Sequence, residues 1–190
     1  MSAALIIIDL IEDLIGPKGR ANHCREQVMA NNLIGNVNAA AAYARVRKIP
    51  VIWVRVGFAD DYHDIPPHSP LFNHLKQTGA LRLSSPGCRW VPELQREAED
   101  LQFEKTAVSA FSGNNLLDWL RRHRCHHLLL GGVSTPLAIE STARQAHDAG
   151  FQVTVLQDLC AAPTQEIHQQ SLDTLQNLAE ISRSLAWMRS

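Results

Sequence analysis

The stretch LLLGGVSTPLAIESTARQAHDAGFQVTVLQDLCAA, residues 128–162, decides the fold of this chain. It starts with an apolar run, passes through the small residues of GGVSTP into a helical segment from about Leu137 to Ala149, and continues as an apolar run from Phe151 to Leu156. Gly150 suits the left-handed position just after a helix. Two apolar runs joined by a helix predict a β-α-β unit with parallel strands buried on both faces.

The same alternation continues on both sides of this unit. We expect strands at residues 3–8, 50–56, 100–104, 127–131, 151–156 and 179–182, and helices at about 25–47, 113–123, 137–149 and 165–178. Residues 57–99 are rich in Pro, Gly, His and Ser and predict a long excursion with little regular structure. Six strands alternating with helices imply an α/β fold: a six-stranded parallel sheet flanked by helices, in a Rossmann-like three-layer α/β/α arrangement.

The composition is typical of a globular protein. The 190 residues suit a single domain over residues 1–190, with 45% hydrophobic residues, 19% charged residues and a formal net charge of -1. The lack of a basic excess disfavours a nucleic-acid partner, and the lack of a long apolar run disfavours a membrane span. We therefore expect a cytoplasmic protein. We also expect free thiols, because no CxxC pair occurs among Cys24, Cys88, Cys125 and Cys160.

Two ionisable residues fall at predicted strand ends. Asp9 follows the strand at residues 3–8, and Lys105 follows the strand at residues 100–104. Ligands bind beyond the carboxyl ends of such strands, and a buried carboxylate needs a partner, which Lys105 could supply. The alternatives are that Asp9 caps a turn and that Lys105 is a solvated lysine. As a pair they transfer a proton only if their surroundings shift their pKa values.

The GGVSTP turn predicts a cradle of backbone N–H groups at the start of a helix, suited to an oxyanion or carboxylate. It is neither a G-x-G-x-x-G nor a G-x-S-x-G motif, so neither dinucleotide binding nor serine-hydrolase chemistry is indicated. The histidines at 63, 68 and 74 lack the spacing of metal ligands on one element. We therefore expect no cofactor.

Three segments together carry a family resemblance: LIIIDLIEDL, FEKTAVSAF and the stretch at residues 128–162 with its G-V-x-T and D-x-C-A motifs. The chain resembles the isochorismatase-like hydrolase superfamily over nearly its whole length. The resemblance implies a six-stranded parallel sheet, a homodimer or homotetramer, and a cis peptide bond between Val133 and Ser134 in the substrate-binding turn.

Most members of that superfamily use an aspartate, a lysine and a nucleophilic cysteine. The first two fall on Asp9 and Lys105, but the cysteine position falls on Ala138. A methyl group cannot attack a carbonyl, so thioester chemistry is excluded at this position. True isochorismatases also lack that cysteine and hydrolyse a vinyl ether, and by this resemblance Asp9 is the general acid. Residues 55–63 do not reproduce the nicotinamidase metal site, so the resemblance implies no catalytic metal.

Substrate contacts are also expected near the motif regions. Arg55, with Phe111, is a candidate to receive an anionic aromatic or cyclohexadiene substrate, although Arg55 can equally be a structural ion-pair partner. Cys160 is a poor replacement nucleophile, because it follows a different strand. Trp187 either joins a subunit interface or closes the core.

Three hypotheses therefore stay open. The first is a hydrolase of a small molecule that works without a cysteine. The second is a catalytically silent protein of the same fold that binds a small molecule or serves as an oligomeric partner. The third is a cysteine-to-alanine variant of an amidohydrolase.

Overall fold

The structure is a computed structural model that describes residues 2–189. One sheet of six parallel strands runs through it, in the order β3-β2-β1-β4-β5-β6. The strands are β1 (Ser2–Ile8), β2 (Val51–Val56), β3 (Leu101–Lys105), β4 (Cys125–Val133), β5 (Gln152–Ala161) and β6 (Glu180–Ser182). The predicted fold class is confirmed. The strand order reverses between β1 and β4, and the loops that leave these strands diverge to open a crevice.

Helices cover both faces of the sheet. They are α1 (Glu12–Ile15), α2 (Arg25–Ala30), α3 (Leu33–Val46), α4 (Pro70–Thr78), α5 (Leu116–Arg122), α6 (Glu140–Asp148), α7 (Gln165–Leu175) and α8 (Ser184–Arg189). Side chains of α5, α6 and α7 pack in the hydrophobic cluster on one face, and those of α2 and α3 pack in the cluster on the other. Among residues 2–189, no helix is both long and apolar enough to cross a membrane.

Strand β1 shows why the chain forms this central layer. Ala4, Ile6 and Ile8 pack on the face of α5 to α7, whereas Leu5 and Ile7 pack on the face of α3. Because successive side chains of a strand point to opposite faces, a continuous apolar run is buried only when both faces are covered. The apolar run therefore places β1 at the centre of the sheet and its carboxyl end at the crevice.

The helix predicted over residues 25–47 is two helices. Asn32 adopts a left-handed conformation with φ of 50°, which separates α2 from α3. Asparagine visits this conformation more readily than most residues, because its short polar side chain can bond locally. The prediction of one helix was wrong at this point.

The excursion at residues 57–99 contains more regular structure than predicted. Helix α4 lies within it, with Pro70 in its first turn, the Ser69 hydroxyl accepting a hydrogen bond from Phe72 N, and Gly79 left-handed after its last turn. Phe58 and Phe72 pack against each other with ring centroids 5.2 Å apart. These contacts fold the excursion over the carboxyl edge of the sheet.

The C-terminal part departs from the prediction in two places. Strand β5 runs to Ala161, so residues 158–160 lie within it rather than after it, and its register with β4 shifts between Leu130 and Gly132. Helix α8, which was not predicted, places Trp187 edge-on to Tyr43 with ring centroids 5.1 Å apart. Trp187 thus packs against the hydrophobic cluster under α3 and helps to close the core, which is one of the two roles expected for it.

Candidate active site

A cavity of about 200 Å³ opens at the carboxyl ends of β1, β3 and β4. Its walls are mostly apolar, formed by Leu14, Val56, Leu71, Phe72, Leu75, Leu81, Val108 and Leu137. Asp9 and Lys105 line it from the strand ends, and Ala138 lines it from the turn after β4. The structure therefore brings together Asp9, Lys105 and Ala138, on which the resemblance places the catalytic positions.

Asp9 is held rigidly where β1 ends. Its backbone is left-handed, with φ of 64°, and its N–H donates to Val54 O over 2.8 Å. Its Oδ1 accepts a hydrogen bond of 2.7 Å from Val56 N, and its Oδ2 lies 2.8 Å from Lys105 Nζ. A left-handed aspartate is uncommon, and these bonds to the neighbouring strand stabilise it.

Lys105 reaches Asp9 across an intervening strand. It is the last residue of β3, which pairs with β2, and β2 pairs with β1. Its side chain is 1% exposed, and its Nζ also donates to Val108 O over 2.6 Å. A buried ammonium needs such partners, because desolvation of an unpaired charge is costly.

Burial raises the pKa of Asp9, because removal from water disfavours the carboxylate. The positive charge of Lys105, its hydrogen bond and that of Val56 N act in the opposite direction without reversing the shift. Asp9 therefore holds its proton to a higher pH than an ordinary aspartate, as a general acid requires.

The turn after β4 forms one wall of the cavity. Gly132 has φ of 127°, and a Cβ at this position would overlap the carbonyl oxygen of Ile8, so only glycine fits. The peptide bond between Val133 and Ser134 is cis, and both residues line the cavity. Ala138 follows in a single π-helical turn, Thr135–Ile139, and is buried at 3% exposure.

Arg55 and Phe111 do not reach this cavity, which corrects their expected place in it. Arg55 pairs with Glu104 over 2.6 Å, donates to Cys88 O over 2.8 Å and lines a separate groove with Trp90. It precedes the last residue of β2, and the alternation of side chains turns it away from Asp9. Phe111 is buried in the core cluster beside α5. The geometry therefore favours the alternative in which Arg55 is a structural ion-pair partner.

Within residues 2–189, no cysteine or serine side chain that lines the cavity is hydrogen-bonded to a base. The described cysteines are free and buried. Cys24 lines the cavity, but burial raises the pKa of its thiol to about 12. Cys160 lies inside β5, and burial raises the pKa of its thiol strongly. No sequence pattern indicates that Thr135 has a histidine partner, yet its Oγ1 lies 2.8 Å from His168 Nδ1; both side chains are buried and outside the cavity lining.

Three cationic or titratable residues of the cavity lining were missed as site residues. Arg20 and His23 come from the segment between α1 and α2, and His74 comes from α4. No periodicity or motif marks them, because they reach the cavity only through the folding of loops over the sheet edge. From the sequence, His74 was discussed only as a possible metal ligand, together with His63 and His68.

The chain belongs to the isochorismatase family, since the isochorismatase domain model matches residues 3–185. It is 31% identical over 180 residues to the isochorismatase family protein YecD of Escherichia coli O157:H7, covering 90% of this chain and 86% of that one. It is also 28% identical over 179 residues to a "probable inactive nicotinamidase" of Arabidopsis thaliana, covering 93% and 89%. An isochorismatase family protein from Desulfovibrio vulgaris has the same fold, with a TM-score of 0.87, 24% identity, and coverage of 98% of this chain and 96% of that one.

The residues present do not fit the metal site known from nicotinamidases. Within residues 2–189, no group of three or more His, Cys, Asp and Glu side chains is arranged to hold a metal ion. His63 instead contacts Asp61 over 2.6 Å at the surface.

Lys105→Met tests the electrostatics of this site. Loss of the buried partner should lower the free energy of unfolding by about 3–5 kcal/mol at neutral pH. The pKa of Asp9 then rises further, so the folded state holds the proton to higher pH than the unfolded chain, whose aspartate has a pKa of 3.8. The free energy of unfolding should therefore fall as the pH rises from about 4 and level off above the folded-state pKa, in urea titrations across pH.

The double variant Asp9→Asn with Lys105→Met is the matched control. It has no carboxyl group at position 9, so its stability should lack this component of the pH dependence. Parallel pH profiles for the single and double variants would show that Asp9 is not the group that titrates.

Proposed function

We propose that this member of the isochorismatase family is a hydrolase that cleaves a vinyl ether of a small metabolite without a cysteine nucleophile, using Asp9 as the general acid. The observation that carries the proposal is the buried Asp9 carboxyl group in an apolar cavity, opposite an alanine at the family's cysteine position. Acid chemistry is what such a cavity still supports when no activated thiol or hydroxyl lines it.

In the proposed reaction, the Asp9 O–H bond breaks and its proton passes to the terminal carbon of the C=C bond. The electron pair of that double bond forms the new C–H bond, and the ether oxygen stabilises the resulting oxocarbenium ion. A water oxygen then bonds to the cationic carbon, and the water's proton returns to Asp9. The hemiketal collapses to a ketone and an alcohol, which are pyruvate and an alcohol when the substrate is an enol-pyruvyl ether.

Lys105 and Val56 have complementary roles in this cycle. Each oxygen of Asp9 accepts one hydrogen bond, from Val56 N or Lys105 Nζ, and a carboxyl oxygen has a second lone pair that can carry the proton. Once the proton has left, the ammonium of Lys105 stabilises the carboxylate. The pair thus supports both protonation states of the acid.

The homodimer or homotetramer that the resemblance implies and the cytoplasmic location expected from the sequence stay predictions. Leu71 and Leu137 are 37% and 44% exposed beside the cavity, which is compatible with a neighbouring subunit there.

Isochorismate is the first substrate to test, with pyruvate release followed by a coupled dehydrogenase. Asp9→Asn keeps the size of the side chain but removes the acidic proton, so the rate should fall by about 10²–10⁴-fold. Asp118→Asn, which changes an exposed aspartate on α5, is the matched control and should retain the wild-type rate. No pyruvate from the wild-type protein would favour the silent small-molecule binder, a hypothesis supported by the similarity to the "probable inactive nicotinamidase" of Arabidopsis thaliana.

The third hypothesis, a cysteine-to-alanine variant of an amidohydrolase, is supported by Ala138 lining the same cavity as Asp9 and Lys105. It predicts that Ala138→Cys releases ammonia from a panel of primary amides that includes nicotinamide, whereas the wild-type protein releases none. Ala138→Ser is the control, because its hydroxyl is a much weaker nucleophile at this position. Absence of ammonia with a folded Ala138→Cys protein would remove this hypothesis.

A further inference from the structure

The charges that line the cavity are unbalanced. Asp9 is the one carboxylate among the lining residues of the described chain, and Lys105 neutralises it at 2.8 Å. The remaining ionisable lining residues are Arg20, His23 and His74, apart from the Cys24 thiol, which burial keeps protonated. The floor is therefore neutral while Asp9 is ionised and carries the charge of Lys105 while Asp9 is protonated. Further positive charge lies on Arg20, joined by the two histidines whenever they are protonated.

Arg20 has donors to spare. Its Nη1 donates to Gly79 O over 2.5 Å, after the last turn of α4, and no other hydrogen bond of its guanidinium occurs in residues 2–189. A guanidinium carries five N–H donors, so a single carbonyl leaves most of them unused. Within the same described residues it makes no ion pair.

Further positive charge lies beside Arg20. The guanidinium groups of Arg20 and Arg82 both lie beside Gly79. A side-chain Cβ placed on Gly79 would be 3.6 Å from Arg20 Nη1 and 3.5 Å from Arg82 Nη2. Lys76 Nζ lies 6.0 Å from the centre of the Tyr62 ring, and the Arg82 guanidinium lies 5.3 Å from the same ring. Like charges brought together in this way repel each other, and an anion between them relieves the repulsion.

The nearby carboxylates lie outside the cavity. Asp13 accepts hydrogen bonds from the backbone N–H groups of Arg20 and Leu81. Three further carboxylates have partners of their own: Asp60 with Ser84, Asp61 with His63, and Asp64 with Ala59 N. Glu12 shares a separate groove with Arg20 and Asp13. None of these five carboxylates lines the cavity.

We infer that this cavity selects a small organic anion, whose carboxylate binds Arg20 at the cavity mouth while its apolar body packs against Leu71, Phe72 and Leu137. His23 and His74 line the same cavity. The inference rests on the proposed function in treating this cavity as the substrate site, and it replaces Arg55 with Arg20 as the anion-binding residue. A charge-assisted, bidentate contact to guanidinium gives both affinity and orientation to a carboxylate.

Calorimetric titration with benzoate and benzamide tests this inference, because the two probes have nearly the same shape and differ in charge. The wild-type protein should bind benzoate about tenfold or more tightly than benzamide, since only the carboxylate forms hydrogen bonds to the guanidinium in which both groups are charged. Arg20→Gln should remove most of this preference, and Arg20→Lys should retain part of it. Lys18→Gln is the matched control, because Lys18 lies on the same loop and shares a second groove with Arg20 but does not line the cavity.

Three results would overturn the inference: equal affinity of the wild-type protein for the two probes, no binding of benzoate, or an unchanged preference in Arg20→Gln with a wild-type melting temperature. The last result would place the carboxylate on another cation, with Lys105 the first candidate. Pyruvate release is a separate readout. Benzoate selectivity without turnover would contradict only the proposed reaction, whereas turnover without selectivity would contradict only the role of Arg20.

Discussion

The contact between Lys105 Nζ and Asp9 Oδ2 is the interaction on which the rest of the site depends. It joins the ends of β1 and β3, which are not neighbours in the sheet, and it spans the end of β2. Both groups are buried, so removal of either one leaves a charge without water or a partner. The backbone bonds from Val54 and Val56 hold Asp9 in its left-handed conformation, and they fix the position of the pair.

The cavity above the pair combines three environments with different chemical roles. Burial beside the apolar walls raises the pKa of Asp9, which is 3% exposed. The turn around Val133 and Ser134 supplies a wall without an activated nucleophile, since Ala138 offers only a methyl group and the Ser134 hydroxyl is not hydrogen-bonded to a base in the described residues. Arg20 places positive charge at the mouth, away from Asp9 and Lys105 at the floor. A site of this kind is suited to proton transfer onto a small anionic substrate and unsuited to acyl transfer.

The sequence predicts the sheet and the position of the Asp9–Lys105 pair for a physical reason. Continuous apolar runs have to be buried on both faces, so they identify the strands, and a charged residue at the end of such a run falls at the ligand-binding edge. Asp9 and Lys105 lie at this edge in the structure and line the cavity there. Gly150, expected to be left-handed after a helix, has φ of 87°.

The features that the sequence did not predict depend on contacts between distant segments. The break at Asn32 and the helix α4 are set by single residues whose preference is weak until neighbouring segments pack on them. Arg20 reaches the cavity because the loop after α1 meets the C-terminal end of α4, a contact that no local pattern records. Arg55 was misplaced because a shift of one residue along a strand changes the face on which a side chain lies.

The protonation of Asp9 is the most direct test of this account. Its side-chain carboxyl carbon can be followed by ¹³C NMR as the pH is changed, and its signal can be assigned by its absence in Asp9→Asn. We expect a single Asp9 carboxyl signal that titrates with a pKa above the 3.8 of an ordinary aspartate. A pKa at or below that value would show that Lys105 holds the group as a carboxylate, and it would contradict the role of Asp9 as the general acid.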